Sequence, residues 1–266
     1  MISPLFESLL ENSLTLLIPE HSDESAMVIN ESAMYSEDSG EGPHYKMQVN
    51  DKEVIIEDVE DMMRFGKIKT VYELHLDTNE FMDAGVSVLA SSPEISQITL
   101  LSLKDNKLTN LSARYLAESK TLTNLRRLYL QNNRFSEEGI ACMGDSEALA
   151  GLELIYLKEN PLRAAGVRAL ANAPNWRSLT DVYLQGVRLG LAGLEALCGS
   201  EVMRSVTTLS LANNRLGDDA ANLFAESEVF GNLVSLDLYG NGISEAAAQT
   251  IREAPGLKSL RALHVD

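Results

Sequence analysis

Leu125-Arg126-Arg127-Leu128-Tyr129-Leu130-Gln131-Asn132-Asn133-Arg134-Phe135 is the stretch that decides the fold. Leu128 and Leu130 enclose Tyr129 at period two, which is how a short strand turns one face inward. The pattern L-x-x-L-x-L-x-x-N-x-L returns as Leu152, Ile155, Leu157, Asn160 and Leu162. Asparagine stands at Asn79, Asn106, Asn133, Asn160, Asn214 and Asn241, on one grid of 27 residues that no insertion breaks, with Val187 in the single gap. The last turn begins with Leu260, Leu263 and Val265.

Beyond each asparagine the period changes. Ile140 and Met143, Val167 and Leu170, Leu194 and Leu197, and Ala248 and Ile251 are spaced by three, the face of a helix. Thr109, Ser136 and Ser244 precede these helices and are expected to cap their first N–H groups. Asp83, Glu137, Asp218 and Glu245 fall in the first turn, where the helix dipole favours negative charge. A small residue recurs early in each helix (Gly85, Ser112, Gly139, Gly166, Gly193, Ala220, Ala247), as close stacking of helices would require. A third apolar ladder, from Ile68 through Ile95, Leu122, Leu149, Trp176, Met203 and Phe230 to Leu257, closes each turn. One strand–helix turn cannot bury its own apolar face. Seven full turns stacked together can. The asparagines are expected to satisfy the backbone groups of the buried turns. At Val187 those groups need another partner, for which water is the expected choice, with Gly186 letting the backbone shift.

These motifs resemble the ribonuclease-inhibitor-like subclass of leucine-rich-repeat proteins, across residues 67–266. The resemblance implies an α/β solenoid: a right-handed horseshoe with a parallel sheet on the concave face, helices on the convex face, and protein ligands bound to the strands. The chain is also similar to bacterial effectors named for a Gly-Ala-Leu-Ala motif and to Ran GTPase-activating proteins. That similarity leaves two alternatives to a plain binding scaffold: a small-GTPase regulator, and an effector or adaptor whose activity lies in residues 1–43.

Running the grid backwards places Met47 and Val49 on a strand, and Val59 and Met62 on a helix, so residues 44–66 read as a degenerate capping repeat. Residues 1–43 form an acidic N-terminal segment. Ser3-Pro4 can start a helix running to Leu10, and Ser22 another that carries Met27, Asn30 and Met34. A solvated arm is the competing expectation. Residues 1–66 hold 15 acids against 3 bases, a balance of −12 within a total of −17. Such acidity disfavours nucleic acid. No apolar run approaches the roughly 18–20 residues that span a bilayer, and the first residues do not read as a secretory signal. Two cysteines without cysteine-rich caps suit a reducing compartment, cytoplasmic unless a non-classical route exports the chain. Cys142 and Cys198, two stacked turns apart, are expected to be free.

The residue between the two inward leucines points to the concave surface. Turn by turn it is His75, Ser102, Tyr129, Tyr156, Tyr183, Ser210, Asp237 and His264. The three tyrosines lie in successive strands about 4.8 Å apart. Two residues on, the adjacent row reads Asp77, Lys104, Gln131, Lys158, Gln185, Ala212 and Tyr239, with Leu100 and Leu154 on the far side. Tyr129, Tyr156 and Tyr183, with Lys104, Gln131, Lys158 and Gln185, are the candidate partner-binding residues, since tyrosine offers contact area at small entropic cost. Ser210, Asp237 and His264 have the residue types of a catalytic triad, but Asp stands where His is needed. A third row (Glu80, Lys107, Arg134, Pro161, Arg188, Arg215, Gly242) is basic in its middle. Glu137 and Glu138 near Arg134, and Asp218 and Asp219 near Arg215, are expected to neutralise it locally. The scattered histidines, the absence of Cys-x-x-Cys and the lack of a phosphate-binding glycine motif give no metal site and no cofactor. The partner is an unknown protein. The chain is expected to be a monomer, or a weak dimer through its C-terminal strand edge.

Overall fold

A computed structural model describes residues 2–17 and 43–265. The stripe predicted from Ser22 onward lies outside the described residues. The order of elements is α1 (Pro4–Asn12), β1 (Leu14–Leu16), β2 (Tyr45–Gln48), α2 (Ile56–Met63), β3 (Val71–His75), α3 (Met82–Ser91), β4 (Leu100–Ser102), α4 (Asn110–Ala117), β5 (Arg127–Tyr129), α5 (Glu137–Gly144), β6 (Leu154–Tyr156), α6 (Arg163–Ala171), β7 (Asp181–Tyr183), α7 (Gly190–Cys198), β8 (Thr208–Ser210), α8 (Asp219–Glu226), β9 (Ser235–Asp237), α9 (Glu245–Arg252) and β10 (Ala262–His264). The strands form one open sheet in chain order, parallel from β2 to β10. From β3 onward the register advances 27 residues per strand, pairing Leu101 with Leu128 and Leu128 with Ile155. This is the α/β leucine-rich-repeat solenoid that the period implies.

The inward residues of the strands and of the positions just after them, Leu128, Leu130, Ile155 and Leu157, are fully buried, while Tyr129 and Tyr156 between them are half-buried. The helix stripe and the third ladder, Trp176 included, join them in one continuous core. At the N-terminal end, Met47, Val49, Val59 and Met62 are buried at the places the grid assigns. Two elements cover this end. In α1, Ser3 caps the helix by accepting from the Phe6 N–H, Leu10 is buried, and Glu11 holds Lys67 at 2.6 Å. Strand β1, which lies off the repeat grid, pairs antiparallel with β2 and occupies the sheet edge that would otherwise be open.

The asparagine ladder is buried and bonded from turn to turn on either side of Val187. Asn133 Oδ1 accepts from the N–H groups of Asn106 and Leu108, and its Nδ2 donates to the carbonyls of Leu103 and Leu130. The gap at Val187 departs from expectation. Backbone groups take the role assigned to water: the Asn160 N–H donates to Leu157 O, the Leu162 N–H to Asn160 O at 2.8 Å, and the Arg163 N–H to Val187 O at 2.9 Å. Gly186 gives no special slack there. The residue before each ladder position has positive φ in every turn (Thr78, Asp105, Asn132, Glu159, Gly186, Asn213, Gly240).

Two other expectations change. A Cβ on Gly85, Gly166 or Gly193 would lie 2.5–2.8 Å from the Cβ of Phe81, Leu162 or Leu189, so these glycines make room for the core residue four positions earlier in their own turn. Gly139 matches the stacking argument most closely, its Cβ position facing Asn110 of the preceding turn at 2.6 Å, while Gly166 and Gly193 meet the backbone of the turn before them only at 3.5 Å. Thr109 and Ser244 cap their own helices, but Ser136 does not, because its hydroxyl accepts from Asn110 Nδ2. Asp83 likewise serves the next turn, accepting from the Thr109 and Ser112 N–H groups and hydroxyls. Asp218 does the same for the Ser244 N–H and hydroxyl.

Candidate functional site: the exposed strand face

Because the register pairs Tyr129 with Tyr156 and Tyr156 with Tyr183, the three rings fall side by side. They stack with centroids 5.9 and 4.4 Å apart, each pair within 19° of parallel. Burial among neighbours raises the hydroxyls of Tyr129 and Tyr183 above the usual phenol range, so both remain neutral donors at physiological pH. On one flank, Arg127 reaches across the Leu100 strand to Glu73 at 2.6 Å. His75 lies 3.8 Å from the same carboxylate and titrates below its usual value, chiefly through burial and secondarily through Lys46. On the other flank, Lys104, Gln131 and Lys158 join Tyr156, Asn132 and Glu159 around a cleft of about 260 Å³. Four of the seven candidate residues therefore share one cleft, while Tyr129, Tyr183 and Gln185 lie outside its lining. The side-chain oxygens of Gln131 and Gln185 are buried without a hydrogen-bond partner.

The row is not exposed throughout. Ser102 and Ser210 are only 3% accessible, because their hydroxyls donate to Asp77 and Asp237, the latter at 2.6 Å. Leu100 is also buried. Asp237 stands between Ser210 and His264, whose Nδ1 is 3.2 Å from its Oδ1. Among the described residues no imidazole reaches the hydroxyl to take its proton, so this group lacks the geometry for nucleophilic catalysis. Sequence reading missed its other feature: Tyr239 stacks on His264 at 5.3 Å and is 52% exposed. Their placement in adjacent rows of adjacent turns is the signal that could have shown it.

The basic row also differs from expectation. Lys107 pairs with Glu80 at 3.3 Å. Arg134, Arg188 and Arg215 are exposed, with no ion pair among the described residues. Of the four acids expected to neutralise them, Glu138 is engaged with Arg114 at 3.7 Å and Asp218 with Ser244. Among the described residues, no cluster of three or more His, Cys, Asp or Glu could hold a metal ion, and no helix is long and apolar enough to cross a membrane.

An open sheet of repeated strand–helix turns with a ladder of buried asparagines defines a leucine-rich-repeat protein. Comparison with known families agrees: the Leucine Rich Repeat family matches residues 124–145, and a second family described as Leucine Rich repeat matches residues 202–225. No curated protein matches the chain.

Proposed function

We propose that this leucine-rich-repeat chain, of the ribonuclease-inhibitor-like subclass, is a non-enzymatic scaffold that seats a protein partner on the exposed face of its sheet. The observation that carries the proposal is the stacked, half-buried row Tyr129–Tyr156–Tyr183 on a face that no element among the described residues covers. Preformed stacking restricts the rings before a partner arrives, so little side-chain freedom is lost on association. Lys104, Gln131, Lys158 and Gln185 form the polar margin of that surface. Helical second halves and a 27-residue period support the subclass. In this reading residues 44–66 are the cap and residues 67–266 the binding body.

The test is affinity capture with the native chain and with a Tyr129/Tyr156/Tyr183→Ala variant, followed by titration of the captured protein. Tyr156→Ala alone is expected to weaken binding by about 2 kcal/mol or more, roughly thirtyfold. A partner whose affinity ignores all three tyrosines would place the binding surface elsewhere.

A further inference from the structure

The loop edge where strands pass into helices carries four exposed arginines in four successive repeats: Arg134, Arg163, Arg188 and Arg215. Each adjoins a ladder residue fixed in the core (Phe135, Leu162, Leu189 or Leu216), all at most 3% accessible, so the repeat itself sets their spacing. None has a carboxylate within ion-pair reach among the described residues, although acids outnumber bases in this chain.

A second, independent observation concerns the backbone. Arg163, Arg188 and Arg215 are held at φ of 56°, 62° and 60°, the left-handed region in which a Cβ is strained. Neighbouring repeats show which residue the fold accepts there at no such cost. Gly190 and Gly217 hold the place equivalent to Arg163, and Gly242 the place equivalent to Arg188 and Arg215, all with positive φ, while Met82 and Lys107 hold the same two places in earlier turns at the same cost. A Cβ at any of these three glycines meets nothing within 4 Å, so the positions open to solvent and packing makes no demand for a side chain. Folding therefore does not require arginine at these places.

We infer that this edge is a second binding surface, distinct from the tyrosine row, that takes a carboxylate-rich segment of a protein. Four guanidinium groups cross three repeat steps of about 4.8 Å each. An extended peptide rises about 3.3 Å per residue and turns alternate side chains to one face. Three acidic residues at alternate positions therefore cover that span, each within reach of a guanidinium that can hold a carboxylate bidentately. A long polyanion such as nucleic acid meets the field of a chain with net charge −17. A short acidic segment meets mainly the local arginines, within about a Debye length.

The experiment uses the full chain and a fluorescent peptide of about ten residues with glutamate at alternate positions, beside its glutamine counterpart. The native chain is expected to bind the glutamate peptide, more weakly as salt rises, and to bind the glutamine peptide at least tenfold less tightly. The Arg188→Gly/Arg215→Gly variant is expected to lose at least tenfold in affinity with its melting temperature unchanged or raised, which separates lost binding from lost folding. Arg177→Gln, an exposed arginine off this edge, and the tyrosine-to-alanine triple variant are expected to bind the peptide as the native chain does. Equal affinity for the two peptides, undiminished binding by the glycine variant, loss of binding in the tyrosine variant, or an oligonucleotide of equal charge that displaces the peptide would each overturn the inference.

Discussion

Val187 is fully buried where other turns carry a bonded amide, and the backbone around it has already found partners. The N–H groups of Asn160 and Leu162, which a side-chain oxygen at this position would have received, point to Leu157 O and Asn160 O. Asparagine introduced here would bury an amide with its natural donors committed elsewhere. Val187→Asn is therefore expected to cost about 1–3 kcal/mol, the penalty of an unsatisfied buried polar group. Urea unfolding followed through Trp176, the single tryptophan, would measure it. A gain in stability would mean that both N–H groups turn back to the new side chain. The thiols offer a second prediction at this scale. Cys142 and Cys198 are both free. Burial raises both, and pushes Cys198 up to about 12. Because the thiolate is the reactive form, iodoacetamide at pH 8 should alkylate Cys142 well ahead of Cys198 in the folded chain, and both alike in urea. Equal rates in the folded state would contradict the burial of Cys198.

Among the elements, the helix starts show where local reading succeeds and where it stops. Strand, helix and ladder residues are legible because their period is contained in each 27-residue turn. The destination of Asp83 is not: its partners Thr109 and Ser112 lie 26–29 residues away, and its own helix dipole offers an equally reasonable use for the charge. Strand β1 escapes for a related reason, since three residues pairing antiparallel off the grid carry no periodic signal. The tyrosine row could be read from register alone. The burial of Ser102 and Ser210 could not, because it depends on acceptors contributed by neighbouring turns. Burial alone would raise the Asp83 carboxyl, but the donors at Ser112 and Thr109 outweigh it and hold the group below its usual range. A carboxyl lowered on folding stabilises at pH above its unfolded value, and that contribution fades as pH falls through the folded one. Asp83→Ala should accordingly cost about 1–2 kcal/mol at neutral pH, as loss of a helix cap does. Urea melts at successively lower pH should show the gap between variant and native chain closing below about pH 4. A gap that stays constant into that range would show that the charge of Asp83 contributes nothing.

For the whole molecule, stability is a property of the stack. Each turn packs chiefly on its two neighbours, so a defect in a central turn weakens two main interfaces while one at an end weakens a single interface. The end of β6 provides a direct test, because Tyr156 and Leu157, the residue that follows the strand, face opposite ways. Leu157 is fully buried beneath the sheet, whereas Tyr156 stands half-buried above it between two other rings. Truncating Leu157 to alanine removes transfer energy and leaves a void that both neighbouring turns line, and should cost about 2–5 kcal/mol. Truncating Tyr156 removes ring contacts that solvent can replace in part, so its effect on stability should be much smaller, even though its proposed effect on partner binding is large. Chemical unfolding of the two variants separates core from surface on one strand. Equal losses would mean that the rings support the sheet, and that the tyrosine row is a structural spine rather than a surface free to receive a partner.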